Sequence, residues 1–211
     1  LVNVSYKYNK RKEEILMLKG NCLIAQSGGP TAAINATLCG AYTQAAKTDA
    51  IDIVYGGING ILGIMQEKII DLKPILGNED ELELIKTTPS SFLGSCRYKL
   101  KGEEDYKKIF DVFQKYNIRY FFYIGGNDSM DTILQLKAYA AKQDYEIRLI
   151  GLPKTIDNDL TETDHTPGFG SSAKYIASTI KEIVCDTRVY DMDSIIVAEV
   201  MGRHAGWLAI S

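Results

Sequence analysis

Tyr120-Phe121-Phe122-Tyr123-Ile124-Gly125-Gly126-Asn127-Asp128-Ser129 reads as an apolar strand that runs straight into a glycine turn. Five consecutive apolar or aromatic side chains leave no polar face, the pattern of a strand set well inside a sheet. Ile133, Leu134, Leu136 and Ala140 then recur at helical spacing. The same unit stands earlier in the chain. Cys22 to Gln26 is a short apolar strand, and Ser27-Gly28-Gly29-Pro30-Thr31 is its turn. Ile34, Leu38, Ala41, Tyr42 and Ala45 mark one face of the helix that follows. Glycines let backbone approach an anion, and a helix N-terminus presents unpaired N–H groups to it. Neither turn is a G-x-G-x-x-G fingerprint or a Walker A loop, because no Gly-Lys-Ser/Thr follows.

Working outward, Ile51 to Tyr55 is a further strand ending in the glycine-rich run Gly56 to Gly63. Residues 66–86 give only weak pattern. Tyr106, Ile109, Phe110, Phe113 and Tyr116 mark an amphipathic helix. Ile147 to Leu152 reads as a buried strand stopped by Pro153, and Ser194 to Val200 as the last strand. Between these two, Ala173, Ile176, Ala177, Ile180, Ile183 and Val184 share one helical face, with Ser171 or Ser172 as the N-cap. Five strands alternating with helices predict an α/β fold with a doubly wound, mostly parallel sheet.

The 211 residues are 45% hydrophobic and 24% charged, ordinary for a globular protein. The net charge of −3 does not favour nucleic acid, and the 13 tyrosines form no stacking platform. An anionic ligand must therefore meet a local group of cations and N–H donors. Cys22, Cys39, Cys96 and Cys185 lie far apart and suit reduced thiols in a cytoplasmic protein, not a zinc site. His165 and His204 read as a loop residue and a structural residue, and Trp207 as core. No apolar run approaches the ~20 residues of a membrane span. Met17 is the expected natural start, which makes residues 1–16 an upstream leader or a disordered arm. The far end, Met201 to Ser211, reads as a helix broken off while forming.

Pro153-Lys154-Thr155-Ile156-Asp157-Asn158-Asp159 follows the fourth of these strands. Open α/β sheets bind ligands at the carboxyl ends of their strands. Here one carboxylate can take a proton from an alcohol, another can hold a metal, and the lysine can meet an anion. Gly94-Ser95-Cys96-Arg97 adds a guanidinium after small residues, suited to forking onto a phosphate.

Five stretches in order resemble the phosphofructokinases: residues 27–36, 92–98, 124–129, 153–159 and 199–206. The resemblance implies that Asp157 is the base that accepts the 1-hydroxyl proton of fructose 6-phosphate. It implies that Thr155 and Asp159 contact the sugar or organise metal and base, and that Arg97 bridges the transferred phosphoryl group. Donor phosphates would meet Gly28, Gly29, Gly126, Asn127, Asp128, Ser129 and Lys154. Met201, Gly202 and Arg203 would line the sugar phosphate. Mg²⁺ is the implied cofactor, with Asn127, Asp128, Asp157 and Asp159 as candidate ligands. Phosphoryl transfer asks for positioning and charge neutralisation above all.

Two positions bear on the donor. Members that use ATP usually carry Gly-Gly-Asp-Gly-Ser at the second turn and glycine at position 154. Here Asp128 replaces the last glycine of Gly-Asp-Gly, adding bulk and negative charge where a nucleotide phosphate would lie. Lys154 adds a cation suited to a compact donor. Both resemble the pyrophosphate-dependent members. Asn127 departs from the family's metal-associated Asp and brings no charge. The resemblance implies a homo-oligomer; charge, apolar runs and cysteine usage point to a cytoplasmic protein without nucleic-acid or membrane partners. Residues 17–160 would form the donor-binding domain and 161–211 the start of a sugar-phosphate portion, left incomplete. The rival readings are an ATP-dependent phosphofructokinase, a kinase of the NAD or diacylglycerol type, and a truncated non-catalytic binding or regulatory module.

Overall fold

Strand β1 (Gly20–Gln26) lies at the middle of a five-stranded sheet. A computed structural model describes residues 17–31, 33–202 and 204–211. The expectation for residues 1–16, and the role given to Arg203, fall outside the described residues. Around β1 the sheet is ordered β3-β2-β1-β4-β5, with β2 at Ile51–Gly57, β3 at Ile69–Asp71, β4 at Ile118–Gly125 and β5 at Arg148–Pro153. β1 runs parallel to β2 (Cys22 opposite Val54) and to β4 (Ile24 opposite Phe122). β4 runs parallel to β5, with Ile124 opposite Leu152. Only β3 is antiparallel, pairing Ile70 with Gly56 of β2.

Helices cover both faces, as doubly wound sheets require. Alternate side chains of a strand point to opposite faces. Leu23 and Ala25 of β1, with Phe121 and Tyr123 of β4, therefore join one core. It is closed by α2 (Gly60–Met65), α5 (Glu103–Lys115) and α6 (Asn127–Lys142). Cys22, Ile24 and Ile124 join the other, under α1 (Ile34–Ala46), α3 (Lys73–Leu76) and α4 (Glu79–Thr87). The cap of α4 is legible after the fact: the Asn78 side chain accepts from the N–H groups of Asp80 and Glu81, and the first turn is acidic. Phe113 and Phe121 are fully buried with ring centroids 5.3 Å apart. Phe113→Ala removes that contact and leaves a void, at an expected cost of about 3–5 kcal/mol. Denaturant unfolding measures it, and a loss below about 1 kcal/mol would show that the core collapses around the gap.

Several expectations need correction. The stretch expected at 147–152 forms β5 one residue later, at 148–153 with Pro153 inside the strand, and as an edge strand and not a buried one; Ile150 is 40% exposed. An open apolar groove beside it is lined by Ala41, Phe122, Ile150 and Leu152. β4 is interior, while the central place belongs to β1. The weakly patterned 66–86 segment contains β3, α3 and most of α4. Residues 194–200 form no strand; Ile195 and Val197 stand exposed there. The next long helix, α7 (Phe169–Thr187), is capped by Gly168 at φ 97°, three to four residues before the expected serines. Of its side chains only Phe169 is buried, so the apolar face expected at 173–184 is not covered. A short α8 (Trp207–Ile210) follows, and Trp207 is 51% exposed, not core; Leu208 is the buried residue there. Among the described residues no helix is long and apolar enough to cross a membrane. The four cysteines are free thiols.

Candidate active site

The chain leaves β1 for β2 on one side and returns for β4 on the other. That reversal opens a crevice outside the carboxyl ends of β1 and β4, the usual ligand position in such sheets. Both glycine turns stand at it. Gly28 has φ 76°, a left-handed conformation that a side chain would strain. A Cβ there would lie 3.3 Å from Lys154 Nζ and 3.9 Å from the Gly126 N–H nitrogen, so three loops meet at this glycine. Below them, the buried hydroxyls of Ser27 and Ser129 share a hydrogen bond, and Ser27 Oγ also reaches the Ile124 carbonyl at 3.4 Å. Gly125 lies against both hydroxyls and has no room for a Cβ.

Lys154 extends the β4–β5 ladder through its own N–H, which donates to the Gly125 carbonyl at 2.8 Å. Its ammonium is carried inward and donates to the carbonyl of Gly29. The residue is only 5% exposed. Burial pushes the amine below its ordinary pKa, the Arg97 guanidinium adds to that, and the Asp157 carboxylate opposes it. Arg97 arrives on a loop seated against the first turn. Ser95 Oγ donates to the Gly28 carbonyl at 2.5 Å, and the Gly28 N–H donates to the Cys96 carbonyl at 3.3 Å.

Asp157 stands in a loop tied to itself. Its N–H donates to Thr155 Oγ1 at 3.1 Å. The buried Asn158 amide donates to the Asp164 carbonyl at 3.0 Å and accepts from the Thr166 N–H at 2.8 Å. Thr166 Oγ1 donates to the Thr155 carbonyl at 2.7 Å. Within this frame Asp157 Oδ1 is buried with no hydrogen-bond partner among the described residues; Thr31 Oγ1 is the other such atom. Buried oxygens are normally paired, and one without a donor is suited to accept a proton from a ligand.

The phosphofructokinase family profile matches residues 21–211. The chain belongs to the phosphofructokinase family. A pyrophosphate–fructose 6-phosphate 1-phosphotransferase of Methylococcus capsulatus is 46% identical over 202 residues, covering 92% of this chain and 47% of that protein. The crystal structure of a pyrophosphate-dependent phosphofructokinase from Marinobacter aquaeolei superposes with a TM-score of 0.81 at 45% identity, covering 90% of this chain and 48% of the other. An ATP-dependent 6-phosphofructokinase of Glaesserella parasuis is more distant, 30% identical over 189 residues, covering 89% of this chain and 54% of that protein. The chain spans about half the length of the curated relatives it matches.

Of the four candidate metal ligands in this phosphofructokinase chain, Asp157 stands in the loop described above and the other three divide into two arrangements. Asn127 Nδ2 lies 3.4 Å from Asp159 Oδ2, linking the second glycine turn to the Asp157 loop. Asp128 points to solvent and pairs with Lys99 at 3.3 Å. Among the described residues, no three Asp, Glu, His or Cys side chains converge on one point. Met201 is exposed and Gly202 turns at φ 120°. Among the described residues, no hydrogen bond joins either to the three turns. His165 is a loop residue, stacked on Phe169 with centroids 5.8 Å apart.

Sequence reading overlooked Gln26 and Asn35, each wholly buried beside the site. A signal existed: a lone amide ends the apolar run Cys22 to Ala25, and another stands next to Ile34 on the buried side of α1.

Proposed function

We propose that this chain carries the donor site and the base of an enzyme that moves a phosphoryl group from pyrophosphate to the 1-hydroxyl of fructose 6-phosphate. The products are fructose 1,6-bisphosphate and phosphate. The observation that carries this reading is the buried Lys154 ammonium at the meeting of the two glycine turns, 3.3 Å from the Cβ position of Gly28. A compact dianionic phosphate placed there gains a desolvated cation, which is worth more than one in water. Asp128, in the first turn of α6, opposes a longer polyphosphate by charge and bulk.

The residues act as follows. The Asp157 carboxylate takes the 1-hydroxyl proton as the sugar oxygen bonds to the nearer phosphorus of pyrophosphate. The bridging P–O bond breaks, and its electron pair leaves with phosphate. Arg97 and Lys154 meet the negative charge spread over the phosphoryl oxygens. The N–H groups near Gly28 and Gly126 hold the donor in line. Thr155 fixes the Asp157 backbone by accepting its N–H. Asp157, Asp159, Asn127 and Asp128 would hold Mg²⁺ through oxygen, directly or through water, and the ion would supply further charge neutralisation at the phosphates. Gly29 and Ser129 serve by presenting Lys154 and by joining the turns. The segment 161–211, with Met201, Gly202 and Arg203, begins the sugar-phosphate portion. The working enzyme is read as a cytoplasmic homo-oligomer.

The test offers pyrophosphate and ATP in parallel to the full-length gene product, with Mg²⁺ and fructose 6-phosphate. We expect kcat/KM for pyrophosphate to exceed that for ATP by at least ~100-fold. Preference for ATP would overturn the donor assignment, and turnover of neither would overturn the enzymatic reading. Asp128→Gly combined with Lys154→Gly should raise kcat/KM for ATP by ~10-fold or more; no change would mean that other residues exclude the nucleotide.

A further inference from the structure

Gln26 and Asn35 form a buried pair of amides, each with 0% exposure. Gln26 Nε2 donates to Asn35 Oδ1 at 3.1 Å and to the Ile34 carbonyl at 3.2 Å. Their remaining hydrogen-bonding groups all turn to one loop. The Leu93 N–H donates to Gln26 Oε1 at 2.8 Å, and the Ser91 hydroxyl lies 3.0 Å from the same oxygen. The Phe92 N–H donates to Asn35 Oδ1 at 2.9 Å, and Asn35 Nδ2 donates to the Thr88 carbonyl at 2.9 Å. The two backbone donors fix which end of each amide is oxygen.

Residues 88–97 have no strand or helix of their own, so their course depends on such outside partners. Past Leu93 the loop turns at Gly94 (φ 69°), binds Gly28 through Ser95 and Cys96, and delivers Arg97. Gln26 is also the last residue of β1, immediately before the Ser27-Gly28 turn. One residue thus sets the donor turn through its backbone and the arginine loop through its side chain.

We infer that Gln26 and Asn35 are positioning residues, which hold the Arg97 loop in register with the first glycine turn and so set where the guanidinium meets the transferring phosphoryl group. An apolar residue of similar size fills the same volume but leaves the Leu93 N–H unpaired, so the loop is freed without opening a cavity. This inference rests on the reading of Arg97 as a phosphoryl-binding residue.

The test is a double-mutant cycle in the full-length protein, with pyrophosphate and fructose 6-phosphate. Gln26→Met and Arg97→Ala are measured singly and together. Gln26→Met alone should lower kcat about 10-fold, with KM for fructose 6-phosphate changed less than about threefold. With Arg97→Ala already present it should cost less than about twofold, because the group it positions is gone. Amide exchange at Phe92 and Leu93 should quicken in Gln26→Met. Ser91→Ala, at a half-buried position, removes one contact of the set and should show the same dependence on Arg97 at smaller size. It carries the test if Gln26→Met fails to fold. A costly Arg97→Ala with an equal Gln26→Met loss in both backgrounds, or with no loss at all, would overturn the positioning role while leaving Arg97 in place. A neutral Arg97→Ala would overturn the role of Arg97, and this inference with it.

Discussion

Replacing Asp157 with asparagine is expected to lower kcat by at least ~100-fold, while KM for pyrophosphate should move less than about threefold. The exchange is nearly isosteric. The N–H of residue 157 still donates to Thr155 Oγ1, and the Asn158–Thr166 ties are untouched. What is lost is a carboxylate oxygen, buried and unpartnered, that could accept a proton. An amide has no comparable basicity, so the attacking alcohol keeps its proton into the transition state. An effect confined to kcat is the mark of an interaction made only there. Steady-state kinetics on the full-length protein measure it. A variant with parental kcat would move the base to another residue, and a large rise in KM for pyrophosphate with kcat intact would make Asp157 a binding group.

Lys154→Met is expected to raise KM for pyrophosphate by ~10–100-fold, the worth of one charge-assisted hydrogen bond of about 1.5–3 kcal/mol. Methionine keeps much of the length and suits a side chain only 5% exposed, so the loss reports charge and not volume. The pH dependence supplies an independent check. Burial and the Arg97 guanidinium depress the Lys154 pKa, and Asp157 opposes them. The cation is present below that pKa and lost as pH rises through it. In the parent, kcat/KM for pyrophosphate should therefore fall on the alkaline side, earlier than an ordinary lysine would allow. The Met variant should lack that alkaline fall. Identical alkaline limbs in both proteins would remove Lys154 from donor binding.

The interior of the fold was legible because β1 and β4 are covered on both faces, and an apolar run has one meaning there. Their glycine turns were legible for a related reason: backbone that must pass within contact of another loop excludes a Cβ, as at Gly28 and Gly125. Legibility failed where tertiary context decides. β5 has the composition of a buried strand yet lies at the edge, and nothing local reveals a missing neighbour. Ile195 to Val197 has the same composition and, among the described residues, pairs with no strand. β3 is three residues long, too short for any period to register. Within the site, sequence supplied the candidates on the turns but not how they are held in place. The Ser27–Ser129 bond spans 102 positions and Gln26 to Leu93 spans 67, separations at which residue spacing carries no signal.

The exposed edge at β5 bears on how this chain behaves in a tube. Among the described residues its outer N–H and C=O groups have no strand beside them, and the apolar floor of Phe122, Ile150 and Leu152 lies open next to it. An unpaired strand edge flanked by greasy surface is a template for self-association. For these 211 residues alone, light scattering is expected to report a particle size that grows with concentration.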